Sequence, residues 1–209
     1  PNLASPKEDI YKKSVDTLIE EIERCEELGI RYLVTHLGSH VGVGVEIGKT
    51  RLIQALGRAI DEGGAMILLE NASGSGSHMG SRFGDVAELI NELGSTRVGF
   101  CLDTCHAFAA GYNLATQEGL AQTLREIKET VGFSRFKLVH LNDSVGGLGS
   151  GIDHHEHIGL GRIGGEGFRR ILTSQLTKRP MIMETPIDDR RSDAENMNKV
   201  LELAGLSRR

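Results

Sequence analysis

The feature that most constrains this chain is an alternation repeated five times. A short apolar run ends in, or next to, a His, Asp or Glu, and an amphipathic stretch of helical period follows. The runs are residues 31–36, 65–70, 97–103, 136–141 and 180–184; the helical stretches are about 48–62, 84–93, 117–131, 166–173 and 192–204. Strands separated by helices pair in parallel through crossover connections rather than as hairpins. A further helix, 5–28, precedes the first strand, with Val15, Leu18, Ile19, Ile22, Cys25 and Leu28 as its buried stripe. Ser5-Pro6-Lys7-Glu8 has the form of a capping box with Pro at the first helical position, Gly29 suits the left-handed residue that ends the helix, and Ser192-Asp193-Ala194-Glu195 is a second box. No linker or low-complexity tail interrupts the pattern, so residues 1–209 read as one α/β domain.

Composition narrows the function classes. No run reaches the roughly 18 apolar residues of a membrane span. The chain shows no basic segment followed by an apolar one, so an intracellular, cytoplasmic or nuclear, location and no membrane partner are expected; it opens on Pro1, not Met, as a truncated chain would. Three cysteines, Cys25, Cys101 and Cys105, are too few for a disulfide framework, and their spacing is not that of a zinc ribbon. They read as small buried hydrophobes. Glycine-rich loops at 38–48, 74–84 and 146–167 follow the strands and mark one functional face. Gly76-Ser77-His78-Met79 has the look of a cloning scar, but its place between a strand and a helix makes it native.

The strand ends carry the chemistry. His36, Glu70, Asp103, His140 and Glu184 close the five strands, and side-chain alternation places each on the inward face. Active sites of α/β barrels lie at this carboxyl end. Three carboxylates gathered without cations would repel one another, so two His and three acids imply a divalent metal. Mixed nitrogen and oxygen donors suit zinc or manganese. His106 adds a donor just past the third strand, and the loop Asp153-His154-His155-Glu156-His157 adds more. Such a cluster fits phosphoester hydrolysis, with metal generating the nucleophile and stabilising the leaving oxygen. No nucleophilic triad or Walker loop is apparent.

These segments resemble one family. Thr35-His36-Leu37-Gly38-Ser39-His40, Glu70-Asn71-Ala72-Ser73-Gly74, Asp103-Thr104-Cys105-His106-Ala107-Phe108-Ala109-Ala110-Gly111-Tyr112, His140-Leu141-Asn142-Asp143-Ser144, Asp153-His154-His155-Glu156-His157-Ile158-Gly159 and Glu184-Thr185-Pro186 are similar, in order, to the signatures of the endonuclease IV family, with His154 in place of an Arg. The resemblance implies a TIM (β/α)8 barrel with three zinc ions that hydrolyses the phosphodiester 5′ to an abasic site in DNA. It assigns His36 and Glu70 to the first ion. The second takes Glu70, Asp103, His140 and Glu184, and the third His106, Asp153 and His155. Glu70 and Glu184 are the implied catalytic carboxylates. His40, His78 and His157 become supporting groups or phosphate contacts; Arg82, Lys137 and Arg162, by their place in or near the site loops, are candidate phosphate contacts.

The count departs from the family's eight strands. Five are legible, the first strands are missing, and the first zinc lacks one His ligand that the family supplies before the position of Pro1. The expectation is an incomplete barrel, weak or inactive alone, and monomeric if the barrel were complete. The net charge of −5 is at first sight wrong for a DNA partner, but three divalent ions bring it to about +1. The rival readings are a sugar isomerase or epimerase of the xylose-isomerase-like barrels, which has no need of the His106–Asp153–His155 set, and an inactive metal-binding fragment.

Overall fold

The computed structural model describes residues 1–206; the last three positions of the expected domain lie outside the described residues. Helix α1 (Glu8–Glu27) leads into β1 (Tyr32–His36), α2 (Val45–Glu62), β2 (Met66–Glu70), α3 (Phe83–Leu93) and β3 (Val98–Asp103). There follow α4 (Thr104–Ala109), α5 (Gln117–Glu129), β4 (Phe136–His140), the short pair β5 (Asp143–Ser144) and β6 (His155–Glu156), α6 (Gly164–Leu172), a 3-10 turn (Gln175–Lys178), β7 (Met181–Ile182) and α7 (Asp193–Leu203). The main sheet is wholly parallel in the order β1-β2-β3-β4-β7. It is the five-stranded parallel sheet that the alternation predicts, and the open arc of the TIM-type barrel that the resemblance implies.

Two apolar layers flank the sheet. The outer one is the main core, where Ile67, Leu69, Phe100, Leu102 and Val139 meet the stripes of the surrounding helices. In α2 that stripe is Leu52, Ala55, Leu56 and Ala59, spaced as one helical face requires. The inner face is thinner: Leu68, Cys101 and Leu138 are buried, with Tyr32, Val34 and Met66 half covered around them. The register sets His36 beside Glu70 and Asp103 beside His140. Inward residues therefore climb to a common rim at the carboxyl end, as the stagger of a barrel requires.

Several local expectations change. The box at Ser192 and Glu195 forms, but the one at Ser5 does not. The α1 helix begins at Glu8, too late for Ser5, whose hydroxyl instead accepts the Lys7 N–H at 3.1 Å in a turn. Gly29 has φ 66° as expected, yet Leu28 is 73% exposed, because the chain leaves the helical path at that residue. Helix α2 starts three residues early, and the last strand shrinks to Met181–Ile182. Neither α4 nor the β5–β6 pair is legible in the periodicity, since both are too short to show a period. Cys25, Cys101 and Cys105 are buried free thiols, and burial pushes Cys101 and Cys105 up to about 11. That disfavours the thiolate a metal would need. The 76–79 segment is built in: the Ser77 and Ser39 hydroxyls lie 2.7 Å apart, and Met79 donates to Gly38 O and is buried.

Candidate metal centre

All eight residues expected to carry chemistry come together at the carboxyl rim. Glu70 is the hub, 3% exposed at the end of β2. Its Oε1 lies 3.1 Å from His140 Nδ1 and 3.3 Å from His106 Nδ1, and its Oε2 lies 3.5 Å from His36 Nε2. Glu184 Oε2 reaches the same His140 Nδ1 at 3.1 Å. On the far side Asp153 Oδ1 meets His106 Nε2 at 2.9 Å, and Asp103 Oδ2 stands 3.6 Å from His155 Nε2. Asp103 is fully buried. It also caps α4, its Oδ1 accepting the His106 N–H at 2.8 Å, which explains why a helix starts directly at this strand end.

Two groups have donor atoms that all fall within 4.8 Å of one another: Glu70, Asp103, His140 and Glu184, and Asp103, His106 and His155. The first matches the expected second set. The second differs in one member, because Asp103 takes the place of Asp153, which instead pairs directly with His106. His36, 58% exposed at the side chain, faces Glu70 and has its ring 5.5 Å from that of His106.

Donor chemistry fits a divalent ion. His155 Nε2 is buried with no hydrogen-bond partner among the described residues, while its Nδ1 lies 3.0 Å from Glu184 O. That backbone contact fixes the ring with its free nitrogen toward Asp103, the usual arrangement of an outer contact orienting a metal-ligating imidazole. Burial drives the Asp103 carboxyl up, and Glu70 beside it adds to the effect. Burial would also raise Glu70, but His106 and His140 hold it below the usual carboxylate range. His140 holds Glu184 down, and His106 holds Asp153 down. Burial opposes charge on His106, yet Asp153 and Glu70 raise it to about 11. His140 is raised as well: burial opposes this, but Cys101, Glu184 and Glu70 outweigh it. Protons on two imidazoles thus supply the positive charge that the carboxylates demand.

Two asparagines, Asn71 and Asn142, hold the donors, and a third, Asn196, supports them from further out; none is singled out by the sequence. Asn71 brackets Asp103: its side chain accepts the Asp103 N–H at 2.8 Å and donates to Asp103 O at 3.2 Å. Asn142 donates to Asp103 Oδ2 at 2.6 Å and to Glu184 Oε2 at 3.2 Å, and accepts the Glu184 N–H at 2.8 Å. Asn196 lies one layer further out. Asn71 directly follows a donor, and Asn142 continues the inward register two places after His140; a polar residue at such a place is the available signal. His157 is not at the centre. It is fully buried, between Asp188 and Asn196. His40 accepts the N–H groups of Gly42 and Gly44, shaping the turn before α2. His78 lines a cavity of about 270 Å³ with His36, Gly38 and Asp153, opening beside the rim. Lys137 lies beside Gly99 in the lower half of the sheet, away from the rim, and Arg162 is exposed.

Residues 1–204 match the family described as the xylose isomerase-like TIM barrel. A protein of Methanoculleus marisnigri named "Probable endonuclease 4" is 51% identical over 98% of this chain and 74% of its own length. The chain belongs to the endonuclease IV family. The endonuclease IV crystal structure from Thermus thermophilus superposes with a TM-score of 0.80 at 37% identity, covering 98% of this chain and 71% of that one. A D-tagatose 3-epimerase-like protein also superposes, with a TM-score of 0.71 over 98% of this chain and 74% of its own, but at 22% identity it shows the shared fold alone. As a member of the endonuclease IV family the chain is a nuclease, and its rim holds the acidic and His groups of a candidate metal centre.

Proposed function

We propose that the chain, as one catalytic domain, hydrolyses the phosphodiester 5′ to abasic sites in DNA, using a multinuclear zinc centre. His36, Glu70, Asp103, His106, His140, Asp153, His155 and Glu184 hold the ions. When bound, zinc supplies a water nucleophile ionised near neutral pH and offsets charge on the phosphate and leaving oxygen. The single observation carrying this reading is that two donor sets share the buried carboxylate of Asp103 at the rim of a chain of this family.

The chain's own groups do the positioning. Glu70 sits between His36 on one side and His140 and His106 on the other, so its two oxygens span the centre and aim the attacking water. Glu184, half exposed, faces both the cluster and a groove lined by Asp153, His154, His155 and Pro186. It is the carboxylate that can meet substrate. Asn142 keeps Glu184 and Asp103 at fixed separation, so neither drifts as charge develops on the phosphate. The ions also supply the positive field that a chain of net charge −5 lacks.

The test is cleavage of a duplex with one abasic site, against an undamaged duplex, before and after chelation. Zinc-dependent incision that leaves a 3′-hydroxyl next to the lesion is expected. Epimerisation of a ketose without incision would replace this reading with the isomerase one, and bound metal with neither activity would leave a metal-binding fragment.

A further inference from the structure

A helix buries a polar residue only when something holds it there. Asn196, in the first turn of α7, is fully buried, and its contacts account for it. Its Oδ1 accepts the Ile158 N–H at 3.2 Å. Its Nδ2 approaches His157 Nδ1 at 2.9 Å and Thr185 Oγ1 at 3.2 Å. The opposite ring nitrogen of His157 lies 2.9 Å from Asp188 Oδ1. Asp188 is fixed in turn by Arg190, whose guanidinium also reaches Glu156 at 2.8 Å.

These contacts grip two segments, and each carries a donor of the centre. His157 and Ile158 follow His155 by two and three residues; Thr185 is next to Glu184. The segments touch each other directly at two points, His155 Nδ1 with Glu184 O at the site and His157 Nε2 with Asp188 Oδ1 behind it. Both lie beyond regular strand: β6 has two residues, and β7 ends at Ile182. The main sheet therefore ends short of Glu184 and His155; Asn142 ties Glu184 to Asp103 and β5 pairs Ser144 with His155 on the inner side, which leaves the outer side of the two segments to be held from α7.

We propose that Asn196 is a positioning residue that, with His157, clamps the 155–158 and 184–188 segments to α7 and so sets the separation of His155 and Glu184. The inference rests on the metal reading above. The clamp reaches no donor atom directly. It acts through backbone placement and through the tautomer of His157: Asn196 donates to Nδ1, so the proton sits on Nε2, facing Asp188.

The test uses Asn196→Ala and the milder Asp188→Ala, which removes the outer anchor of His157 without opening the core. Zinc affinity is read by competition with a chromophoric chelator, and hydrogen exchange is read segment by segment on the metal-free chain. Displaced supporting contacts typically weaken metal binding about ten- to a hundredfold. We expect that loss for Asn196→Ala, a smaller one for Asp188→Ala, and faster exchange confined to 153–159 and 184–188, with the β1–β4 amides still protected. Unchanged zinc affinity and unchanged loop exchange in a folded Asn196→Ala would overturn the clamp. If Asn196→Ala unfolds, Asp188→Ala decides by the same two readouts. If the unsubstituted chain binds no zinc, the metal reading falls, and exchange in the two segments alone decides whether the clamp stands.

Discussion

Replacing Asp103 by Ala is the sharpest perturbation of the centre, because both donor groups contain this carboxylate. Binding of structural zinc releases roughly 10–16 kcal/mol in peptides that fold around it. Shared evenly over four ligands, that is about 3 kcal/mol per ligand, or about a hundredfold in affinity for each ion. The metal-free protein loses much less. The α4 cap, 2.8 Å from Asp103 to the His106 N–H, is worth about 1 kcal/mol. Asn142 Nδ2 keeps a second acceptor in Glu184 at 3.2 Å, and relief of repulsion with Glu70 works in the opposite direction. Asp103→Ala should therefore stay folded while its zinc affinity falls about a hundredfold, and incision should slow by about a thousandfold if about 4 kcal/mol of charge stabilisation is lost. Cys105→Ala is the matched control. Its thiol is buried two residues on, where its polar contacts are His154 O at 3.6 Å and the Ser144 side chain, so the variant should keep its metal. Elemental analysis after gel filtration and chelator competition read both variants. Equal metal loss in the two, or full retention in Asp103→Ala, would refute the assignment.

Loading the metal-free chain with zinc should release protons, because His106, raised to about 11, and His140, also raised, must surrender theirs to become ligands. Calorimetry at pH 8 in buffers of different ionisation enthalpy should show about one to two protons released per chain, and none would refute the charge assignment. The same raised His106 stabilises the metal-free fold most fully below about pH 6.5, its ordinary value, and that contribution is lost as pH climbs toward 11. Urea midpoints of the chelated chain should therefore fall between pH 6 and pH 9, and a flat profile would count against it. Ser192→Ala removes a formed capping box and should cost about 1 kcal/mol, lowering Tm by about 2–4 °C; an unchanged Tm would show that the cap carries nothing. Gly161→Ala places a Cβ 2.5 Å from both Asp143 Oδ1 and Ser144 O. It should cost about 1–3 kcal/mol in urea denaturation, and a neutral result would mean that the loop gives way.

The strand ends were the legible part of this protein. His36, Glu70, Asp103 and His140 are legible because a strand's alternation is rigid: once a run is assigned, the face of its last residue follows; Glu184 falls on the same side although its strand stops at Ile182. The same rigidity made the five-stranded parallel arc readable. That Asp103 joins His106 and His155 in one group of mutually close donors, while Asp153 pairs with His106, is not legible in the sequence, because Asp153 lies in an irregular loop whose direction no periodicity records. Helix α4 escaped notice for a related reason: six residues are too few to show a period, and their start depends on one capping contact. His157 reads from the sequence as a supporting group or a phosphate contact, with nothing in a His-rich run to choose between the two; its ring lies in a buried amide and carboxylate pair. Burial, which a single sequence does not carry, decides between the two.

The glycine-rich turn after the His155 loop has a consequence for selectivity. The N–H groups of Gly159, Gly161, Ile163 and Gly164 converge with that of Ser144 on the Asp143 carboxylate, at 2.8–3.4 Å. Converging amides of this kind form the cradle in which nucleotide-binding proteins seat a phosphate. Here the cradle is occupied by the protein's own side chain. A free nucleotide finds no vacant amides in this turn, so mononucleotides and inorganic phosphate should compete poorly there for an enzyme whose substrate is polymeric. An internal anion also sets the shape of the turn before any ligand arrives, so the amide resonances of 159–164 should stay in place when phosphate is titrated in.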